Sequence, residues 1–325
     1  MVKRPTSNVE RNQIIFIVGP TAVGKTAVAC ELARRLPGEI ISCDAMQVYK
    51  EIHIASDKPS EELRKSVPHH LIDVVSVEEE FNVARYRALA LEAIEDIRQR
   101  GRVPVFCGGS GLYMSAILDG LFEGGGADVE VRERLTQEAQ EKGLPELYGR
   151  LKRLDPAASE KINPNDLMRI IRALEVFEVT GIPMSAMQLK RDGLWGAGAE
   201  DIRIFVLNRE RAELYRRVEA RVKEMFDCGL VDEVRAVLTK NVALAAGRLI
   251  GIPEVRGFLG GGYDLAEAQE LMKLNTRHYV KRQLTWFRKE KRAQWVEISE
   301  GETTAAVVGR LVELLNQLPP SRQVL

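Results

Sequence analysis

The chain has 325 residues, 45% hydrophobic and 29% charged, which suits a globular protein with length enough to bury a substantial core. Lys+Arg and Asp+Glu both number 47, so bulk charge excludes a polycation that grips nucleic acid non-specifically and leaves only local clusters for that task. The widely spaced Cys30, Cys43, Cys107 and Cys228 form no C-x-x-C pair, and neither a signal peptide nor a membrane-length apolar run is found, so a cytoplasmic protein with reduced thiols and no membrane contact is expected.

In chain order, residues 14–18 are a continuous apolar run that reads as a buried parallel strand. Residues 26–36 have helical periodicity, 39–43 read as a second strand, and 82–100 as a long amphipathic helix stopped by Gly101. A third strand at 103–107 precedes Gly108-Gly109-Ser110-Gly111. This alternation implies a parallel sheet with helices on both faces. From 121 to 200 only helical signals occur. Gly124-Gly125-Gly126 reads as a hinge, and 166–180 is the clearest helix, with Asn165 as cap and Gly181 as stop. After a glycine-rich exit at 193–198, a strand is expected at 202–207 and helices from Arg211. A long helix at 264–289, a last strand at 293–298 and a helix at 303–318 close the chain. The expected fold class is α/β: a P-loop NTPase-like parallel-sheet core (1–120 and 201–325) carrying a helical insertion domain (121–200).

Gly19-Pro20-Thr21-Ala22-Val23-Gly24-Lys25-Thr26 fits G-x-x-x-x-G-K-[ST] between a strand and a helix. Its backbone N–H groups and helix N-terminus suit phosphate oxygens, Lys25 adds a charge, and Thr26 suits Mg²⁺. The motif specifies adjacent phosphates, so ATP or GTP chemistry is the starting expectation. The carboxylate that usually accompanies it is absent after the third strand, which leaves Asp44, at the end of the second, as the well-placed acid.

Several segments in this order resemble one family. They are the phosphate loop, Asp44-Ala45-Met46-Gln47-Val48-Tyr49, Gly108-Gly109-Ser110-Gly111-Leu112-Tyr113, Met168-Arg169-Ile170-Ile171-Arg172, and Thr276-Arg277 with Lys281-Arg282-Gln283-Leu284-Thr285-Trp286. From about residue 14 to 295 the chain is similar to bacterial tRNA dimethylallyltransferases, the IPP transferase family. The resemblance implies a monomeric prenyltransferase. It would move a dimethylallyl group from dimethylallyl diphosphate to N6 of the adenosine on the 3′ side of a tRNA anticodon, with Mg²⁺ as cofactor. It assigns catalysis to Asp44, Thr26 and Arg217, the last through the diphosphate. It also assigns tRNA contacts to Asp44, Ala45, Met46, Gln47, Ser110, Arg132, Met168, Arg169, Arg172, Arg248, Arg277, Lys281, Arg282 and Gln283. Two departures stand out. Ile252-Pro253 replace a frequent tyrosine and basic residue, and Ser110 replaces a frequent threonine.

In that chemistry the phosphate loop stabilises the leaving diphosphate. Asp44 either accepts the proton that the alkylated amino group sheds or holds Mg²⁺ through water. The adenosine must leave its stack to react, and a channel between core and insertion is expected to receive it. Arg277, Lys281, Arg288 and Arg292 would fall within about 60° on a continuous helix, a basic stripe for a phosphate backbone. Arg169 and Arg172 share a face, where Asp166 or Glu175 are alternative partners. His53, His69 and His70 show no metal-ligand spacing, and Trp286 and Trp295 read as packing residues. A small-molecule or nucleoside kinase, a prenyltransferase for free adenine nucleotides and a non-enzymatic RNA-binding switch are the competing readings.

Overall fold

The structure is a computed structural model that describes residues 13–122, 128–196 and 201–317. Six strands, β1 (Gln13–Val18), β2 (Gly38–Ser42), β3 (His69–His70), β4 (Val103–Gly108), β5 (Asp201–Asn208) and β6 (Gln294–Glu297), form one sheet in the order β3-β2-β4-β1-β5-β6. Every pairing is parallel. β1 is buried along its whole length, as a strand covered on both faces must be. Its last residue, Val18, pairs with Gly108 on one side and Val206 on the other. The chain winds to one side of β1 through β4 and to the other from β5. The carboxyl end of β1 is therefore the switch point, where open α/β sheets place ligands.

Four helices follow in the first half: α1 (Lys25–Arg35), α2 (Glu61–Ser66), α3 (Val83–Gln99) and α4 (Gly111–Leu118). α1 lays Val28, Ala29, Leu32 and Ala33 on the sheet. The N-cap of α3 is Asn82, whose side chain accepts from Arg85 N–H. Five more helices come next: α5 (Val129–Lys142), α6 (Leu144–Leu154), α7 (Pro156–Ser159), α8 (Leu167–Thr180) and α9 (Met184–Gln188). The chain then returns to β5 and continues through α10 (Arg211–Asp227), α11 (Leu230–Val237), α12 (Ile252–Leu259), α13 (Leu265–Phe287) and, after β6, α14 (Thr304–Gln317).

The chain divides into two compact units, Met1–Ile117 with Gly198–Leu325, and Leu118–Ala197. The first holds the sheet. The second is helical among its described residues and buries Leu135, Leu147, Leu151, Ile170 and Leu174 in a core of its own. Its α8 is capped by Asp166, not by the expected Asn165: the Asp166 carboxylate accepts from Arg169 N–H at 3.1 Å, while Asn165 N–H donates to the Asn163 side chain. Gly181 ends α8 at φ 70°, a left-handed geometry that glycine adopts without strain. The hinge expected at Gly124-Gly125-Gly126, and part of the exit at 193–198, lie outside the described residues.

Three elements are new relative to the sequence reading, α2, α4 and the two-residue strand β3. β3 is too short to show periodicity, and a charged cluster holds it in place. Glu39, 3% exposed on β2, accepts from His70 Nε2 at 2.7 Å and Arg100 Nη2 at 2.7 Å, with Arg102 Nε at 3.4 Å. Burial alone would raise the Glu39 pKa, but the hydrogen bonds from Arg100 and His70 outweigh it and hold the carboxyl below its usual range. A depressed folded value stabilises above the ordinary carboxylate pKa and is lost as pH falls through the folded one. Glu39→Gln should therefore cost about 1–3 kcal/mol at neutral pH. In thermal melts the gap between wild type and variant should narrow below about pH 4.

Candidate active site at the carboxyl end of β1

The phosphate loop leaves β1 at Gly19 and enters α1 at Lys25. A Cβ on Gly19 would lie 2.5 Å from the Leu207 carbonyl oxygen of β5, so the chain packs there only as glycine. Gly24 at φ 101° and Ala22 at φ 65° turn the backbone through the left-handed region, the latter at the strain a non-glycine residue bears there. Three arginines hold the loop from outside. Arg209 Nε donates to Val23 O at 3.0 Å, Arg217 Nε to Ala22 O at 2.7 Å, and Arg221 Nη1 to Thr21 Oγ1 at 2.8 Å. Arg217 and Arg221 are four apart on α10 and so share a face. Arg221 also pairs with Asp57 at 2.6 Å.

From the inside, the loop is fastened by Gln283 of α13, which is 6% exposed. Its Oε1 accepts from Thr21 N–H at 2.8 Å and its Nε2 donates to Gly109 O at 3.0 Å. One buried amide thus joins the phosphate loop to the turn after β4. A second set of bonds orders the turn after β2. Asp44 Oδ1 accepts from Met46 N–H at 2.9 Å, and Ser110 N–H donates to Cys43 O at 3.1 Å. Gln47 accepts from Ser42 Oγ at 2.9 Å and donates to Asp57 O at 3.1 Å.

Two cavities share this framework. One is polar, with Lys25, Thr26, Asp44, Gln47 and Arg221 among its lining. The other has an apolar wall of Val218, Val222, Met225, Leu249, Ile250 and Met272, with Arg248 and Arg282 also on it. Thr21, Asp44, Ser56, Arg221 and Tyr279 line both. Lys25 Nζ donates to Pro20 O at 2.8 Å. Desolvation holds its pKa below the usual lysine value, and the charge of Arg221 adds to that effect, partly offset by Asp44 and Asp57. Burial pushes the Cys43 and Cys107 thiols up to about 12, so both are protonated at neutral pH and neither serves as a base. Burial and the Asp44 charge likewise keep the Tyr279 phenol neutral.

The structure brings Thr21, Lys25, Thr26, Asp44 to Gln47, Arg248, Arg282 and Gln283 onto these two cavities, with Ser110 bonded beside them, while Arg217 lines a third cavity with Ala22, Gly24, Lys25, Thr26 and Arg221. Gln283, expected at the RNA, lines the polar cavity and bonds Thr21 N–H and Gly109 O. Arg132, Met168, Arg169 and Arg172 belong to the other unit. There Met168 is 61% exposed, Arg169 pairs with Asp166 at 3.3 Å, and Arg132 and Arg172 both pair with the buried Glu175, at 2.9 and 2.8 Å.

The four-residue basic stripe does not form as a helical face. α13 ends at Phe287, Arg288 is its cap, and Arg292 lies beyond it, bonded to Glu290. Arg277 pairs with Glu219 at 2.8 Å, while Lys281 is exposed. Arg221, Asp57 and Tyr279 escaped the sequence reading. Only Arg221 left a signal there, its spacing of four from Arg217 on an amphipathic helix.

A family model described as IPP transferase matches residues 47–290. The chain is 42% identical over 296 residues to the tRNA dimethylallyltransferase of Halothermothrix orenii, with 90% of each chain covered. It is 44% identical over 297 residues to tRNA dimethylallyltransferase 2 of Geotalea uraniireducens, covering 91% of this chain and 95% of that one. Among solved structures it is similar to the tRNA isopentenylpyrophosphate transferase of Bacillus halodurans, at TM-score 0.69 and 35% identity over 94% of this chain and 95% of that one. It is also similar to a eukaryotic dimethylallyltransferase acting on tRNA, at TM-score 0.76 and 25% identity over 96% and 81%. With a family match over most of its length and relatives above 40% identity, the chain belongs to the IPP transferase family of tRNA dimethylallyltransferases.

Proposed function

We propose that this chain transfers the dimethylallyl group of dimethylallyl diphosphate to N6 of the adenosine 3′-adjacent to a tRNA anticodon, releasing diphosphate. The observation that carries the reading is the meeting of a polar cavity, which holds Lys25 and Arg221, and an apolar one at Asp44. A donor with a diphosphate head and a branched hydrocarbon tail matches that division. Phosphoryl transfer by a kinase would give the apolar chamber no task.

The phosphate loop N–H groups, Lys25, Arg217 and Arg221 receive the diphosphate. Bringing two phosphates beside Lys25 supplies the counter-charge that offsets its desolvation. Thr26 and Asp44 line the same cavity, and no cluster of three or more ligating side chains occurs among the described residues. That donor set fits Mg²⁺, which binds through one or two protein oxygens and otherwise through water and substrate phosphates. When bound, the ion would neutralise charge on the departing diphosphate. Arg217 and Arg221, anchored at loop oxygens, already point their charge at that position and need little reorganisation. Met46 N–H fixes the Asp44 carboxylate at the seam of the two cavities, where it takes the proton lost by the alkylated amino group. The protonated thiols of Cys43 and Cys107 leave Asp44 without a rival thiolate. We further propose that the chain acts as a monomer in the cytoplasm. Of its helices, none described is long and apolar enough to cross a membrane.

Three outcomes are expected. Pure protein given Mg²⁺, dimethylallyl diphosphate and unmodified tRNA should yield prenylated adenosine by nucleoside mass spectrometry, with an anticodon stem-loop preferred to AMP. Consumption of ATP to phosphorylate an acceptor, with the tRNA unchanged, would overturn the reading. Asp44→Asn should lower kcat by about 10²–10⁴-fold, and normal turnover at saturating substrates would remove the base role. Gln283→Leu leaves Thr21 N–H and Gly109 O unpaired at about 1–3 kcal/mol each. It should lower Tm and raise KM for the donor, whereas a rise in KM for tRNA alone would make Gln283 an RNA contact.

A further inference from the structure

Glu233 on α11 reaches a loop 180 residues earlier in the chain. Its Oε2 accepts from His53 N–H and Ile54 N–H, each at 2.8 Å, and its Oε1 from Ala55 N–H at 2.9 Å. Three successive amides on one carboxylate make a charge-assisted clamp that fixes the backbone in both position and direction. The next residues form the wall of the site: Ser56 lines both cavities and Asp57 the polar one. Asp57 holds φ 50°, in the left-handed region that aspartate tolerates better than most side chains. From there its carboxylate pairs with Arg221 Nη2, while Nη1 of the same guanidinium donates to Thr21 Oγ1 in the phosphate loop.

We propose that Glu233 is a positioning residue for the diphosphate. It holds residues 53–55 so that Asp57 sets the angle at which Arg221 meets the phosphate loop. The proposal deepens the prenyl-transfer reading, but it concerns only how the site receives two linked phosphates. Neither composition nor spacing hints at it, because the clamp is made by backbone amides far away in sequence. Lys58, next in the chain, secures the far end of the loop by donating to Tyr49 O at 2.6 Å and pairing with Asp73 at 2.6 Å, so the clamp at 53–55 controls the near end.

The probe is inorganic diphosphate with Mg²⁺, titrated calorimetrically into the full chain. This reads the relay without turnover. Glu233→Ala should weaken diphosphate binding by about tenfold or more, the scale of one charge-assisted hydrogen bond lost. Glu233→Gln keeps the shape and one acceptor oxygen, should fall between, and supplies the readout if the alanine variant does not fold. Asp57→Ala should weaken binding too, and adding Glu233→Ala to it should change little, because the relay is already cut. A Kd equal to wild type in both Glu233 variants overturns the proposal, as do effects that multiply in the double variant. Prenyl transfer to tRNA is scored separately on the wild type, so failure of that reaction is told apart from failure of the clamp.

Discussion

The side-chain amide of Gln283 governs the geometry of the whole site. Its oxygen takes the N–H of Thr21 and its nitrogen serves the carbonyl of Gly109, so two turns from different strands are fixed by one planar group. The contact is buried, and either partner left alone would carry an unmet hydrogen bond in a low-dielectric setting. Glycine is required in the turn after β4. A Cβ on Gly109 would lie 2.2 Å from the Gln283 nitrogen, and one on Gly108 would lie 2.0 Å from the Cys43 carbonyl oxygen. The turns after β1, β2 and β4 are thus packed backbone to backbone, and the donors they present are set before any ligand arrives. Preorganisation of this kind is what a reaction with a developing anionic leaving group needs.

Electrostatics then separate the two halves of the site. Cationic side chains gather on the phosphate-loop side, where Arg209, Arg217 and Arg221 all spend one donor on a loop oxygen. Those bonds fix where the charge sits. Desolvation is the main cause of the depressed pKa of Lys25 and of Arg217, with Arg221 adding to it at Lys25 and Arg209 and Arg221 adding to it at Arg217. On the other side, Val218 and Val222 come from the same helix as Arg217 and Arg221, one residue further on. At 3.6 residues per turn that single step rotates the helix from a polar face to an apolar one. α10 therefore contributes to both environments and lies at the boundary between them.

The parts legible in the sequence are those in which cause and effect are close along the chain. The strand–glycine loop–helix unit shows itself because Gly19, Gly24, Lys25 and Thr26 must follow one another to wrap a phosphate. The strands other than β3 are found to within a residue or two. The cap of α8 was misplaced by one position because Asn165 and Asp166 are both capable caps, and only the turn at Asn163 decides between them. The basic stripe failed for a different reason. Its spacing assumed a helix that continues past Phe287, whereas β6 must begin at Gln294 to pair with Phe205. Gln283, Asp57 and Glu233 were illegible in role because each acts on backbone or side chains more than 150 residues away.

The pair Ile252-Pro253, where relatives often carry a tyrosine and a basic residue, is resolved by local geometry. Gly251 at φ 109° starts α12, Ile252 is buried, and Pro253 occupies the first turn, where its missing N–H has no cost. Glu254 closes the start by accepting from Gly251 N–H at 2.7 Å, and its other oxygen takes Asn275 of α13 at 2.6 Å. Residues 251–254 are thus committed to anchoring one helix on another. The chamber wall is supplied just before them, by Arg248, Leu249 and Ile250. An exchange at 252 and 253 therefore changes how α12 is seated and leaves the surface beside Asp44 to residues that precede it. In this chain Arg248, not the position of the missing basic side chain, is the cation that this segment brings to the chamber.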